Sequence, residues 1–240
     1  MISSQRSAEE LPGDPRRLNL EYRTWHFVGS EGDEDGFDEW RVSVRSSRFL
    51  DRPRWSAGKT VQHEIGSMRL FRLRMDERFS PFPFSDAEAY DTDLSNLVLG
   101  VYDLGRGGYR QEFRDAMTTC DGDLLVLFDM RLDPAWRGFG LGPVLAAEAV
   151  WTLADGCSAV LAATHITEFP GAPDAPMGEA AFRRAGEKIA ALWESVGFRR
   201  RAGPLGHLLD PRTDEARELR NERRRDLDAL ANAWRESLRR

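Results

Sequence analysis

The fold of this chain is decided by residues 124–142, which read LLVLFDMRLDPAWRGFGLG. Residues Leu124–Leu132 are nearly all apolar with one interior acid, a pattern typical of a strand covered on both faces. An Asp-Pro pair ends that strand, and a glycine-rich run leads into an almost entirely apolar helix over Pro143–Ala154. A second buried strand is predicted over Cys157–Ala163. Strand, glycine-rich turn, helix and strand together predict a βαβ unit.

Upstream of this unit, the sequence predicts strands and one helix. Short runs of β-branched and aromatic residues indicate three strands, over Leu20–Val28, Trp40–Phe49 and Glu64–Met75. Apolar residues at helical spacing predict a helix over Ser85–Leu104, which the turn-forming residues 91–93 could break. Residues 1–19 are polar and carry two prolines, so we expect a mobile leader before a domain over residues 20–210.

Downstream of the unit, two further helices are predicted. Apolar residues repeat at helical spacing from Phe182 to Val196, and short strands are expected over Phe198–Arg201 and Gly206–Leu209. Residues 211–240 form the predicted C-terminal helix, which is amphipathic. Its apolar face consists of Leu219, Leu227, Leu230, Trp234 and Leu238. Packing of this face on the domain is the simplest interpretation, and a homodimer contact or a partner-binding helix are the alternatives.

Composition excludes several classes of protein. The chain has 240 residues, a net charge of −6 and two cysteines, which are too few for a disulfide framework and are not spaced with histidines as zinc ligands. The longest mostly apolar stretch, Pro143–Ala154, is far short of the roughly 20 residues that a membrane span needs. The first residues contain no apolar signal segment, so we expect a cytoplasmic protein. The excess of acidic residues disfavours general binding to nucleic acid.

Three phosphate-binding interpretations compete, and residue spacing separates them. The Gly-Lys-Thr of residues 58–60 lacks the leading glycine of a Walker loop, because that position is Pro53. A dinucleotide fingerprint from Gly138 fails because its third glycine would be Pro143. The turn Arg137–Gly142 remains, where glycines and the N-terminus of a helix can bind a diphosphate beside a fixed cation. A tight turn that needs glycines only for its geometry is the alternative.

Two segments resemble motifs of the Gcn5-related N-acetyltransferase family. Residues 132–142, LDPAWRGFGLG, resemble the acetyl-CoA motif Val-x-Pro-x-x-Arg-Gly-x-Gly-x-Gly of that family, and residues 192–198, LWESVGF, resemble its Leu-Tyr-x-x-x-Gly-Phe. The resemblance covers residues 124–209 well and the front half only in outline. It implies an α+β fold with a mixed, twisted and splayed sheet flanked by helices, to which the C-terminal helix is appended.

The resemblance also implies a site and a reaction. Acetyl-CoA, as co-substrate, would lie where the sheet splays and would transfer its acetyl group to an amine-bearing acceptor by direct attack, with no metal. Backbone groups of Met130, Arg131 and Leu132 would bind the pantetheine and polarise the thioester. Arg137 and the amides of the turn would bind the pyrophosphate. These turn residues are Gly138, Phe139, Gly140, Leu141 and Gly142.

The catalytic residues are less well marked. The tyrosine that many relatives use to protonate the leaving thiolate is Trp193 here, and an indole cannot act as that acid. Asp129, a lone acid in a buried strand, is a candidate base, although it could instead point outward or bond a neighbouring backbone group. His165 lies just beyond the next strand and is the second candidate. The missing tyrosine leaves a rival open, a catalytically silent acyl-CoA-binding or protein-interaction module.

Overall fold

The computed structural model describes residues 6–25, 37–49, 60–75, 83–162, 179–200 and 207–239, which form an α+β fold. The strands are β1 (Leu18–Thr24), β2 (Phe37–Phe49), β3 (Thr60–Leu73), β4 (Tyr102–Asp103), β5 (Gly108–Tyr109), β6 (Asp123–Leu132), β7 (Cys157–Ala162), β8 (Arg199–Arg200) and β9 (His207–Leu209). The helices are α1 (Pro83–Tyr90), α2 (Thr92–Val101), α3 (Gln111–Arg114), α4 (Leu141–Leu153), α5 (Glu179–Glu194) and α6 (Asp214–Ser237).

One large sheet organises the described residues. Seven strands form it in the order β1-β2-β3-β6-β7-β9-β8, and β4 pairs with β5 in a separate hairpin. Each neighbouring pair in the large sheet is antiparallel except β6 and β7, which are parallel and are connected through α4. The βαβ unit predicted from residues 124–163 is therefore confirmed over the part of it that the structure describes.

Helices cover both faces of this sheet. Alternate residues of a strand point to opposite faces, so Leu125 and Leu127 of β6 pack in one core cluster with α4, α5 and α6. Leu124 and Val126 pack on the other face with α1 and α2. Burial on both faces explains why the sequence of β6 is almost continuously apolar.

The parallel pairing between β6 and β7 covers only the first half of β6. Within the described ranges, the last pair that joins the two strands is Leu127 with Ala162, whereas β6 stays paired with β3 as far as Leu132. The register between β3 and β6 shifts next to Asp129, where Phe128 is an extra residue. A bulge of this kind bends a strand and increases its twist. The second half of β6 thus has β3 on one side and no described strand on the other.

The helix predicted over Ser85–Leu104 is instead two helices, α1 and α2. Asp91 separates them, with an extended backbone at φ −161° and ψ 132°. Its carboxylate accepts hydrogen bonds from the N–H groups of Asp93 and Leu94, which makes it the N-cap of α2. The turn-forming residues 91–93 are therefore the start of a second helix.

The described part of the N-terminal segment is not the mobile leader predicted over residues 1–19. Ser7 and Glu10 cap a short 3-10 helix reciprocally, and Asp14 caps a second one. Leu11, between the two, is buried in the core. The polar residues and prolines that suggest disorder in the sequence are used instead as caps and helix starts on a folded surface.

The predicted C-terminal helix is present as α6, and it packs on the domain. Glu148 of α4 accepts paired hydrogen bonds from Arg220 and Arg224 at 2.6–3.1 Å. Trp234 donates from Nε1 to the carbonyl of Leu11 at 3.2 Å. The predicted apolar residues that pack against the core are Leu227, Leu230 and Trp234. The inner face of α6 is therefore occupied by contacts within its own chain.

Candidate functional site

The turn between β6 and α4 is held in shape by its own side chains. Asp133 accepts a hydrogen bond from the N–H of Ala135 at 2.8 Å and caps the 3-10 helix Pro134–Trp136. Arg137 then donates from Nε to the carbonyl of Leu132 at 2.5 Å. The guanidinium is half-buried in this position, so the turn contains a cation that is already fixed in place.

Two glycines in this turn require their residue type. Gly138 has a φ of +84° and Gly140 a φ of +75°, in the left-handed region where a residue with a Cβ is strained. Gly140 is also the N-cap of α4, and no side chain caps that helix. The first N–H groups of a helix have no partner within it. The N-terminus of α4 therefore presents hydrogen-bond donors, and the positive end of its dipole, at the turn.

The turn forms one wall of a cavity of about 710 Å³. Residues of α5 and α6 also line it, as does Leu132 at the end of β6. Of the six turn residues predicted to bind the coenzyme, those that line the cavity are Arg137, Gly138, Gly140, Leu141 and Gly142. The two motif-bearing segments meet here, because Leu192 and Ser195 of the second motif line the same cavity.

Phe139, the remaining turn residue, faces the protein interior. Its side chain is buried, and the guanidinium of Arg6 lies 4.6 Å from its ring centroid. Arg6 also donates to the carbonyl of Arg137 at 3.5 Å. The N-terminal segment thus packs behind the turn, and Phe139 offers only its backbone to a ligand.

The residues predicted to bind the pantetheine lie beside the turn. A Cβ placed on Gly142 would lie 3.8 Å from Cε of Met130 and 3.5 Å from Cδ1 of Leu192. Those are ordinary contact distances, so β6, α4 and α5 meet at this point. Arg131 is exposed, and its backbone pairs with β3. The strand half and the turn half of the predicted site are therefore contiguous.

Three cations line the cavity from three different elements. Arg137 belongs to the turn, Lys188 to α5 and Arg223 to α6, and Glu222 is the single acid among the lining residues that the structure describes. The chain as a whole has a net charge of −6. Positive charge is thus concentrated locally at the N-terminus of α4, which is an arrangement suited to an anion.

Asp129, the candidate base, lies in an ion-pair cluster on β6. Its side chain is 9% exposed, with one oxygen 3.5 Å from Nε of Arg69 and the other 3.4 Å from Nε of Arg131. The side chain is shielded from solvent and pairs with these two guanidinium groups rather than with a backbone group of the described residues. The role of Asp129 as a base stays a prediction.

The second catalytic candidate and the residue at the position of the family tyrosine differ in what the structure describes of them. His165 falls outside the described residues. Trp193 is 6% exposed and packs on Phe198, with 5.6 Å between the ring centroids. The indole at the position of the family tyrosine is therefore a core side chain.

The described residues contain neither a cluster of metal ligands nor a membrane-spanning helix. In the ranges that the structure describes, no three His, Cys, Asp or Glu side chains gather as a metal site, and no helix has the length and apolar character to cross a membrane. Cys120 is half-buried and Cys157 is buried, both as free thiols. The predicted absence of a metal stays a prediction.

Comparison of the chain with protein-family models, with curated proteins and with solved structures found no match in any of the three. The resemblance to the acetyltransferase family therefore rests on the two motifs alone.

Sequence reasoning missed the charged cavity residues on α5 and α6. Lys188 has no distinguishing signal, because it is one charge on the polar face of an amphipathic helix. Arg223 had one: it lies four residues after Leu219 and four before Leu227, inside the apolar stripe of α6. A charged residue in such a stripe is buried, and a buried charge needs a partner.

Proposed function

We propose that this protein is an N-acetyltransferase, which moves an acetyl group from acetyl-CoA to the nitrogen of an amine acceptor. One observation carries the proposal. The segments 132–142 and 192–198, which separately resemble two motifs of the Gcn5-related family, line one cavity although they are distant in sequence. Convergence of both motifs on one cavity is expected of a ligand site and is not required by the structural interpretation of either motif.

The proposal assigns the anionic part of the coenzyme to the turn. Two glycines with positive φ allow backbone to approach a ligand closely, and the N-terminus of α4 adds unpaired donors. Arg137 and Lys188 add charge from two sides. A diphosphate, with its several acceptor oxygens, matches these groups in sign and in hydrogen-bonding type.

The pantetheine and thioester are assigned to the second half of β6. Among the described residues this half pairs with β3 on one side, and the proposal is that backbone groups on its other edge hydrogen-bond the amides of an extended ligand. The mixed sheet, in which β6 and β7 are the parallel pair among the described strands, is compatible with the mixed sheet of the family. Donors aimed at the thioester oxygen would stabilise the charge that develops there.

The reaction is a direct transfer. The amine nitrogen attacks the thioester carbon, the C–S bond breaks, and the thiol of CoA leaves with a proton, while the attacking nitrogen loses one. Asp129 or His165 would accept the proton from nitrogen, and water supplies the acid role that Trp193 cannot fill. Most of the acceleration would come from positioning of the two substrates.

A silent coenzyme-binding module is the second candidate, and two observations favour it. Trp193 is packed in the core, and Asp129 is held between two guanidinium groups. Neither side chain is poised as an acid or base toward the cavity in the described structure. Binding without turnover would have the same cavity and the same turn.

The deciding experiment is a calorimetric titration with acetyl-CoA, followed in the same preparation by an assay of free-thiol release against a library of amines. The transferase predicts saturable binding and thiol release that depends on the amine. Binding without release across the library would favour the silent module. No binding would contradict both candidates. Asp129→Asn then tests the base, because a catalytic role predicts lower turnover with unchanged coenzyme affinity.

A further inference from the structure

The cavity has a wall that neither motif predicts. Leu219, Glu222 and Arg223 of α6 line it together with the turn. Salt bridges between α6 and Glu148 of α4 hold this helix in place. The C-terminal helix is thus positioned as part of the cavity.

Arg223 is unusual among the cations of the cavity because it is buried. Its side chain is 4% exposed, with Nη2 2.7 Å from Glu222 and Nη1 3.0 Å from Asp226. Its Nε is also buried and has no hydrogen-bond partner among the described residues. A buried N–H without an acceptor is costly. The guanidinium therefore carries one unpaired donor, and Arg223 is among the residues that line the cavity.

We propose that Arg223 binds a phosphate group of the coenzyme, so that α6 is an integral part of the coenzyme site. This inference rests on the proposed function. A planar guanidinium matches the oxygens of a phosphate in geometry and charge. Arg223 faces the cavity into which the N-terminus of α4 and Arg137 also present donors. A phosphate there would accept from groups of the turn and of α6.

Glu222 should oppose the binding of a phosphate that Arg223 favours. It lines the same cavity and pairs with Arg223 in the free protein. Its carboxylate balances part of the guanidinium charge and would repel an incoming phosphate. Removal of that charge should therefore strengthen coenzyme binding, whereas removal of the Arg223 charge should weaken it. A merely structural role for the pair predicts no gain of affinity from either change.

The test is calorimetric titration of CoA into the wild-type protein and three variants. Arg223→Met should weaken binding about tenfold or more, because a charge-assisted hydrogen bond is lost. Glu222→Gln should tighten binding about threefold, the scale of one partly screened charge contact. Arg225→Met is the matched control, since Arg225 is exposed on the same helix and does not line the cavity. It should bind CoA as the wild type does.

A second ligand identifies the phosphate. If Arg223→Met loses less affinity for dephospho-CoA than for CoA, Arg223 contacts the 3′-phosphate. If the losses are equal, it contacts the diphosphate. Either result supports the proposal, and unchanged affinity for CoA in a folded Arg223→Met overturns it.

Circular dichroism and thermal unfolding show whether each variant is folded. If Arg223→Met does not fold, the variants Glu222→Gln and Arg223→Lys test the proposal in its place. The lysine variant should retain most of the affinity, and a Glu222→Gln affinity equal to that of the wild type overturns the proposal. Failure of the wild-type protein to bind CoA would instead remove the proposed function itself. Binding by the wild type with no effect of these variants would remove only the role of α6.

Discussion

Substitution of Gly140 by aspartate should abolish coenzyme binding at a modest cost in stability. Gly140 has a φ of +75° at the N-terminus of α4. A residue with a Cβ in that conformation costs about 1–2 kcal/mol. For a chain of this size that corresponds to a fall in melting temperature of about 2–8 °C. The new carboxylate would lie where the phosphates are proposed to bind.

The loss of affinity can be estimated from that charge. Two like charges about 4 Å apart repel by about 4 kcal/mol at the effective dielectric constant of a protein surface. Each 1.4 kcal/mol is about a tenfold change in affinity, so Gly140→Asp should weaken CoA binding by about a thousandfold. Calorimetry would then detect no binding at micromolar protein concentrations.

Gly107 provides the matched control. It has a φ of +63° in the turn between β4 and β5, where nothing lies within 4 Å of an added Cβ. Gly107→Asp therefore introduces the same residue into a similar backbone conformation away from the cavity. It should lower the melting temperature comparably and leave CoA affinity unchanged. Wild-type affinity in Gly140→Asp, or equal loss of affinity in both variants, would refute the assignment of the anion to this turn.

Three further predictions concern the rest of the fold. Leu11→Ala should lower the free energy of unfolding, measured by urea denaturation, by about 2–5 kcal/mol, because Leu11 is buried. A change below about 1 kcal/mol would mean that the N-terminal segment is mobile in solution. Burial acts to raise the pKa of Glu148, but hydrogen bonds from two arginines of α6 outweigh it and lower that pKa below 4.5. The stability that Glu148 contributes is therefore complete above about pH 4.5 and is lost as the pH falls through the lowered pKa. Glu148→Gln should accordingly make the melting temperature depend less on pH in the acid range. An unchanged dependence of melting temperature on pH would contradict this. Burial raises the pKa of the Cys157 thiol to about 11. A thiol reagent at neutral pH should therefore modify Cys120 in the native protein and Cys157 only after unfolding, as mass spectrometry would show. Labelling of Cys157 in the native protein would count against its burial.

The centre of the fold could be predicted because its signals are local. The first half of β6 is buried on both faces, by α4 on one side and by α1 and α2 on the other, so residues 124–128 are all apolar. The turn can be recognised in the sequence by its glycines, two of which are needed because their φ values are positive. Each of these features is determined by residues close together in sequence. The separation of α1 from α2 was harder to predict, because Asp91 breaks a helix or starts one depending on its backbone conformation.

The N-terminal segment could not be predicted because its partners are remote. Leu11 is bonded through its carbonyl to Trp234, 223 residues later. Arg16 pairs with Asp228 at 2.7 Å across a comparable separation. Local composition in this segment is that of a polar, proline-containing leader, and contacts with α6 and with the turn after β6 hold it in folded structure. Long-range contacts of this kind leave no periodicity in the sequence.

The position of Arg223 joins the fold to the proposed chemistry. It occupies a place in the apolar stripe of α6 where a leucine would satisfy packing, since Leu219 and Leu227 lie one turn away on either side. Replacement of a buried ion pair by apolar residues is often neutral or stabilising. The ion pairs of Arg223 therefore do not by themselves explain an arginine here, and its Nε has no acceptor among the described residues. A phosphate bound in the adjoining cavity, as proposed above, would account for a charged residue at this position.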